Sequence, residues 1–258
     1  MARPLEGKDL QMTEYTATFY EKQSDGSARS AARIVPVVLD LLPGLQSVVD
    51  VGCGVGTFLE KFRNNGVPWV QGIDGDYVER DLLRIDQTRF EARDLSTPMS
   101  FERRFDLAVS LEVAEHLLPS RAHSFVEDLT ELSDLVLFSA AIPGQGGTHH
   151  VNERWQDYWA GEFKEFGYYA LDAIRHQIWD FDDVESWYRQ NTILYANLNA
   201  LGRYPGLLSF RTASLPSLRV VHPATWAAQP GPKELLRTVG EAIPIYLRKA
   251  GERLRGKQ

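Results

Sequence analysis

The chain predicts an α/β fold, a doubly wound and mainly parallel sheet with helices on both faces. Three observations predict it. Short apolar runs alternate with helical stretches at the spacing of βαβ units. The first run, SVVDV (47–51), passes directly into a glycine-rich turn and then a helix. The chain has 258 residues, 43% apolar and 24% charged, which suits one full core and excludes wholesale disorder.

The elements follow in order. Residues 1–12 read as a loose polar arm. From Tyr15 to Leu42 the pattern is helical, with a break expected at SDGS (24–27) and a stop at Pro43-Gly44. SVVDV is a buried strand, and TFLEKFRNNG after it is a helix capped by Gly66. WVQGID (69–74) is the second strand, DYVERDLLRI a helix and RFEARD (89–94) the third strand. FDLAVSL (105–111) and LVLFSAAIP (135–143) are the fourth and fifth, with a helix over HSFVEDLTEL between them. NERWQDYWAGEFKEFG (152–167) is helical, and YYALDAI (168–174) and TILYANL (192–198) are further strands. The aromatic stretch between those two strands is expected beside the site. Residues 199–230 read as a wrapping linker and 233–255 as a helix kinked at Pro244.

Composition narrows the function. A single cysteine excludes a disulfide scaffold and a four-cysteine zinc site. No apolar run approaches the ~18 residues of a membrane span. The polar start MARPLEGKDLQMTEY is unlike a signal peptide, so a cytoplasmic protein is expected. Residues 233–258 carry +4 and the remaining 232 carry −11, for a net charge of −7. An acidic body argues against a protein built to hold nucleic acid.

VVDVGCGVGTF (48–58) is the most informative stretch. Strand, G-x-G-x-G and helix together form a nucleoside-binding turn, because glycines let the backbone approach a ligand. The third glycine comes one residue earlier than in a dinucleotide fingerprint, and Asp50 stands two residues before the first. This variant resembles motif I of class I S-adenosylmethionine (SAM)-dependent methyltransferases. The likeness extends over residues 15–200, where the chain is similar to a bacterial small-molecule and sugar methyltransferase subgroup of surface-polysaccharide and natural-product pathways. It implies a Rossmann-like, seven-stranded sheet with the last strand antiparallel. It also implies an N-terminal helical lid (1–45) and a SAM-binding domain (46–200); residues 201–258, outside the likeness, read as a C-terminal linker and basic helix.

The resemblance assigns cofactor roles residue by residue. Asp50, Gly52, Cys53, Gly54 and Gly56 form the loop, with Cys53 asked only to be small. Asp74, followed by Gly75, matches the acid that binds the ribose, and Asp94, followed by Leu95, the acid that meets adenine. Leu111 and Glu112 border the methionine end, and Tyr15, Phe19 and Tyr20 belong to the lid. Plainer readings stand beside these: Asp74 as a helix N-cap and Asp94 as a turn residue.

The chemistry is expected after the fourth and fifth strands, where ligands sit in such sheets. Glu112, Glu115 and His116, spaced i, i+3, i+4, would share a helical face. His149 and His150 follow the fifth strand across GQGG (144–147). The E-x-x-E-H pattern with a later His resembles that of small-RNA ribose 2′-O-methyltransferases. It implies a divalent metal, Mg²⁺ or Mn²⁺, on Glu112, Glu115, His116 and His150. Without a metal, His149 or His150 is the general base and Glu115-His116 a stiffening pair. His123, His176 and His222 read as surface, packing or loop residues. Trp155 and Trp159, four apart, read as core.

The function expected is SAM-dependent methyl transfer to a hydroxyl of a small-molecule acceptor, with a homodimer possible and nucleic acid disfavoured. The rivals are an RNA ribose methyltransferase, a SAM-binding partner subunit without activity, and a nicotinamide dehydrogenase.

Overall fold

A computed structural model describes residues 17–227. Seven strands form one sheet: β1 (Ser47–Val51), β2 (Trp69–Asp74), β3 (Phe90–Ala92), β4 (Leu107–Leu111), β5 (Leu135–Ser139), β6 (Tyr169–Leu171) and β7 (Ile193–Ala196). Their spatial order is β3-β2-β1-β4-β5-β7-β6. The first five run parallel, and β7 lies antiparallel between β5 and β6. β1, β4 and β5 are buried along their whole length, as strands covered on both faces must be. The order reverses between β1 and β4, which opens a crevice at their C-terminal ends.

Helices cover both faces. α1 (Ala17–Leu41) buries Ala31, Ile34, Val35 and Val38, a stripe at helical spacing, and packs on α2 (Thr57–Asn64). On the opposite face lie α3 (Ala122–Leu132) and α4 (Gln156–Glu165), with Trp159 in the core against Phe138. Two short helices, α5 (Arg175–Ile178) and α6 (Ser186–Asn191), fill the stretch before β7. α7 (Leu198–Arg203) and two 3₁₀ turns follow, where the sequence suggests only a linker. The chain through His222 forms one compact unit. Pro223 onward forms a second, of which the short helix Pro223–Ala227 is described. Among the described residues no helix is long and apolar enough to cross a membrane. The kinked helix expected over 233–255 lies outside the described residues.

Two expectations fail for physical reasons. α1 runs unbroken through SDGS. Gly26 is buried where a β-carbon would lie 2.4 Å from the Glu185 carboxylate, and Ser30 Oγ donates to the Gly26 carbonyl. Tertiary contact overrides the local turn preference there. The helix expected over DYVERDLLRI is only a 3₁₀ turn at Arg80–Leu82. Only Val78 and Ile85 of the segment are buried and Leu82 between them is 46% exposed, so the apolar stripe a helix would bury is incomplete.

Candidate active site

The first half of the site is a loop between β1 and α2. Gly52, Gly54 and Gly56 all have left-handed backbones, at φ 83, 52 and 81. At Gly52 the requirement is double, because a β-carbon would also sit 2.3 Å from Val113 Cγ2. The Gly52 N–H donates to the Ile73 carbonyl at 2.7 Å, which ties the loop to β2. Asp74, at the end of β2, completes the tie. Its Oδ2 accepts from the Gly54 N–H at 2.7 Å, and its Oδ1 from the Gly75 N–H at 2.6 Å and the Tyr77 hydroxyl at 2.5 Å. Asp74 therefore caps no helix; it braces the glycine loop.

Asp50 lies beneath this loop, 4% exposed. Burial, then the neighbouring Asp74, pushes its carboxyl up to about 8. A cation placed against Asp50 would favour its charged form. Burial likewise pushes the Cys53 thiol well up, and its Sγ donates to the Gly54 carbonyl, so it is a poor nucleophile. Asp94 stands in an exposed turn and accepts from the Ser96 N–H and hydroxyl, bonds that hold its pKa below the usual range. Leu95 is buried, and its carbonyl accepts from Arg121 Nε at 3.1 Å. Arg121 is itself buried and paired with Asp128. Of the expected lid, Tyr15 and the Tyr20 side chain lie outside the described residues.

The second half surrounds the ends of β4 and β5. Leu111 closes β4, and Glu112 after it adopts φ 56, a left-handed conformation for a side-chain-bearing residue. Its N–H donates to the Ser139 carbonyl and hydroxyl, pinning it to β5. That backbone turn and the 3₁₀ turn Ala114–His116 replace the single helical face expected for Glu112, Glu115 and His116. The Glu112 carboxylate accepts from Gln145 Nε2 at 2.8 Å and Asn191 Nδ2 at 3.2 Å. Burial leaves its pKa above the ordinary carboxylate value, although those two amides oppose the shift.

Glu115 is 0% exposed, and neither carboxylate oxygen makes a well-formed hydrogen bond, although the Glu115 and Ala141 N–H groups and the Glu112 carboxyl stand near it. Burial, then Glu112, pushes its pKa well above the ordinary value. Its ligand atom lies within 4.8 Å of one on His116 and one on His150, which also lie within 4.8 Å of each other. The two imidazoles meet edge to face, with centroids 4.9 Å apart. Desolvation, then the neighbouring His150, lowers the His116 pKa. The loops join through the main chain, where the Val151 and Asn152 N–H groups donate to the Glu115 carbonyl. Glu112 is not one of this trio; its carboxyl is held by the two amides and lies close enough to that of Glu115 for each to shift the other. His149 is exposed beside the trio with a left-handed backbone, φ 61.

The other histidines stand away from the trio. His123 pairs with Glu162 at the surface, and His176 faces Asp172. His222 is buried against Trp179.

Sequence reasoning missed several residues here. Gln145, Gln190 and Asn191 form a buried amide network around Glu112, in which Gln145 Oε1 accepts from both Gln190 Nε2 and Asn191 Nδ2. Gln190 and Asn191 lie nearly 80 positions from Glu112 and carry no local signal. Glu153 bonds His150 Nδ1 at 3.0 Å. An acid three residues after a candidate histidine is a signal that could have found it.

Comparison with known proteins agrees with this architecture. The strand order and a glycine loop braced by the acid at the end of β2 define a class I methyltransferase fold. A methyltransferase-domain family model matches residues 20–182, and the chain belongs to the class I SAM-dependent methyltransferase family. Among solved structures, it is similar to an O-methyltransferase family protein from Burkholderia thailandensis. That pair is 17% identical over 71% of this chain and 60% of the other, with a TM-score of 0.53. It is also similar to human N-acetylserotonin methyltransferase, at 11% identity over 69% and 55%, with a TM-score of 0.50. At these identities the likeness concerns the fold. The chain spans about three fifths of the length of the first structures it matches, 62% for Streptomyces venezuelae DesVI at 20% identity, 56% coverage of this chain and a TM-score of 0.40. A sequence comparison with curated proteins gives no match.

Proposed function

We propose that the protein transfers the methyl group of SAM to a hydroxyl of a small molecule, assisted by a divalent metal on Glu115, His116 and His150. The observation that carries this reading is the Glu115 carboxylate, fully buried, without a well-formed hydrogen bond and beside two imidazoles. A buried carboxylate in that state is costly unless a cation meets it. Two imidazoles and one carboxylate suit Mn²⁺ better than Mg²⁺, which prefers an all-oxygen shell.

The donor end follows from the cradle already described. The glycine loop admits the nucleoside closely, Asp74 can exchange its Tyr77 bond for a ribose hydroxyl, and Asp50 supplies the negative charge that an α-ammonium group needs. SAM supplies an electrophilic methyl on a sulfonium, so the chain need only align the acceptor and remove its proton. A metal on the trio would lower the acceptor hydroxyl's pKa and orient it. The acceptor oxygen bonds the methyl carbon as the carbon–sulfur bond breaks, and the electron pair goes to sulfur. His149, outside the trio but on the same loop, takes the hydroxyl proton. The acidic body suits a compact acceptor, a sugar, nucleoside or natural-product intermediate, better than a polyanion.

A second reading has its own observation. The His150–Glu153 pair has the arrangement of an oriented general base, and it would serve without any metal. The two part on one experiment. Purified protein is incubated with methyl-labelled SAM and panels of diols and monohydroxy compounds, with Mn²⁺ or with EDTA. Transfer that requires Mn²⁺ and favours diols supports the first reading. Transfer indifferent to EDTA overturns the metal, and no transfer or SAM-dependent thermal shift under any condition overturns both.

A further inference from the structure

We infer that Glu153 is a positioning residue which selects the tautomer of His150 and locks the loop before it, so that Nε2 is the nitrogen presented to Glu115 and His116. The inference rests on the site proposed above but not on the presence of a metal, because a metal ligand and a general base need the same nitrogen unprotonated.

One carboxylate does three things. Glu153 Oε1 is 3.0 Å from His150 Nδ1 and also accepts from the Gly146 N–H at 3.2 Å. Its Oε2 accepts from the Gly144 N–H at 2.8 Å. The pair is largely shielded, with side-chain exposures of 12% for His150 and 22% for Glu153. A carboxylate can only accept, so a neutral His150 must carry its proton on Nδ1. A bond of that kind sets both tautomer and ring orientation, and losing it typically weakens metal binding ~10–100-fold.

The loop on the other side fixes where the ring sits. Gly147 has φ 150, and a β-carbon there would lie 2.3 Å from His150 Nε2. The ring is seated over bare backbone, with room for nothing larger than hydrogen. Between the two clamped glycines, Gln145 reaches the other way and donates to Glu112. Glu153 thus fastens the loop whose side chain holds the SAM-side acid, while its own bond orients the acceptor-side imidazole.

The test uses full-length protein without added ligand. Long-range ¹H–¹⁵N spectra at about pH 8 report the tautomer of each neutral histidine, and His150→Gln assigns the His150 signals. The wild type should show the Nδ1–H form, and Glu153→Ala should lose it. Glu153→Gln, which keeps an acceptor, should retain it in part. An Nε2–H form in the wild type, or one unchanged in Glu153→Ala, overturns the inference. Mn²⁺ titration followed by electron paramagnetic resonance gives the second readout. Glu153→Ala should bind at least tenfold more weakly than wild type, and equal affinities would overturn the inference. A wild type that binds no Mn²⁺ overturns the metal reading above and leaves the tautomer result to decide this one. Should Glu153→Ala fail to fold, Glu153→Gln and Gly147→Ala carry both measurements, with Gly147→Ala expected to displace the ring and weaken Mn²⁺.

Discussion

At the ends of β1 and β2 the site is made of main chain, whereas at the ends of β4 and β5 it is made of side chains. The nucleoside half consists of left-handed glycines and N–H groups gathered on one carboxylate, all between positions 50 and 77. The acceptor half draws Glu112 and Glu115, Gln145, His150 and Glu153, and Gln190 and Asn191 from three separate stretches of chain. A backbone cradle tolerates little change but depends on few partners. A side-chain cradle can be altered one group at a time, and each buried group depends on its neighbours for satisfaction.

Five experiments test that contrast, from the largest expected effect to the smallest. Arg121→Ala would strip a buried charge partner from Asp128 and two donors from the loop after β3, which bears Asp94. The expected loss is about 3–5 kcal/mol in denaturant unfolding, with SAM affinity falling as well. An affinity loss larger than that of any glycine variant would blur the contrast, since a remote side chain would then govern the nucleoside half.

Glu115→Ala should lower methyl transfer at least hundredfold, about 2.7 kcal/mol, while leaving the SAM-induced thermal shift intact. Loss of the SAM-induced shift along with transfer would show that Glu115 serves the nucleoside half as well.

Gly52→Ala should do the reverse. Left-handed strain and the clash with Val113 should cost about 2–3 kcal/mol and abolish the SAM-induced shift, with Mn²⁺ binding unchanged in the folded fraction.

Asp50 gives the pH dependence. Its folded pKa of about 8 is far above the unfolded value. The native state therefore holds the extra proton, and ligand-free stability falls as pH rises from near 4 through 8. SAM affinity should move oppositely and strengthen through pH 8 as the carboxylate charges. Asp50→Asn should flatten both profiles, and a SAM profile still rising through pH 8 in that variant would move the assignment elsewhere.

Asn191→Ala should be mildest, about 1 kcal/mol of stability and a few-fold change in kcat, since Gln145 still holds Glu112. A loss equal to that of Glu115→Ala would show the amide network to be one catalytic unit.

The contrast also accounts for what could be read beforehand. The buried strands stand out because continuous apolar runs end at turn residues, and β1 and β2 match to the residue. The nucleoside half is legible because its parts lie close together and glycine announces its backbone. On the acceptor side, the residue types were readable but their directions were not. Glu112 reaches Gln145 and Asn191 from a left-handed backbone, and nothing in E-x-x-E-H encodes that. Asn191 and Gln190 are invisible because a buried amide has meaning only beside the group it satisfies. The two helical stretches differ from expectation for similar reasons, one continued by contact with Glu185 across the fold and the other with only Val78 and Ile85 to bury.

Glu112 carries one last consequence. Its main chain adopts the conformation in which glycine is at home, at an expected ~1–2 kcal/mol for a residue with a β-carbon. Glycine at this position would relax the turn and at the same time discard the carboxylate that Gln145 and Asn191 hold. Selection for a sturdier molecule and selection for a working one therefore pull this codon in opposite directions. Library screens for heat resistance alone should drift toward Glu112→Gly, and the survivors should be inactive.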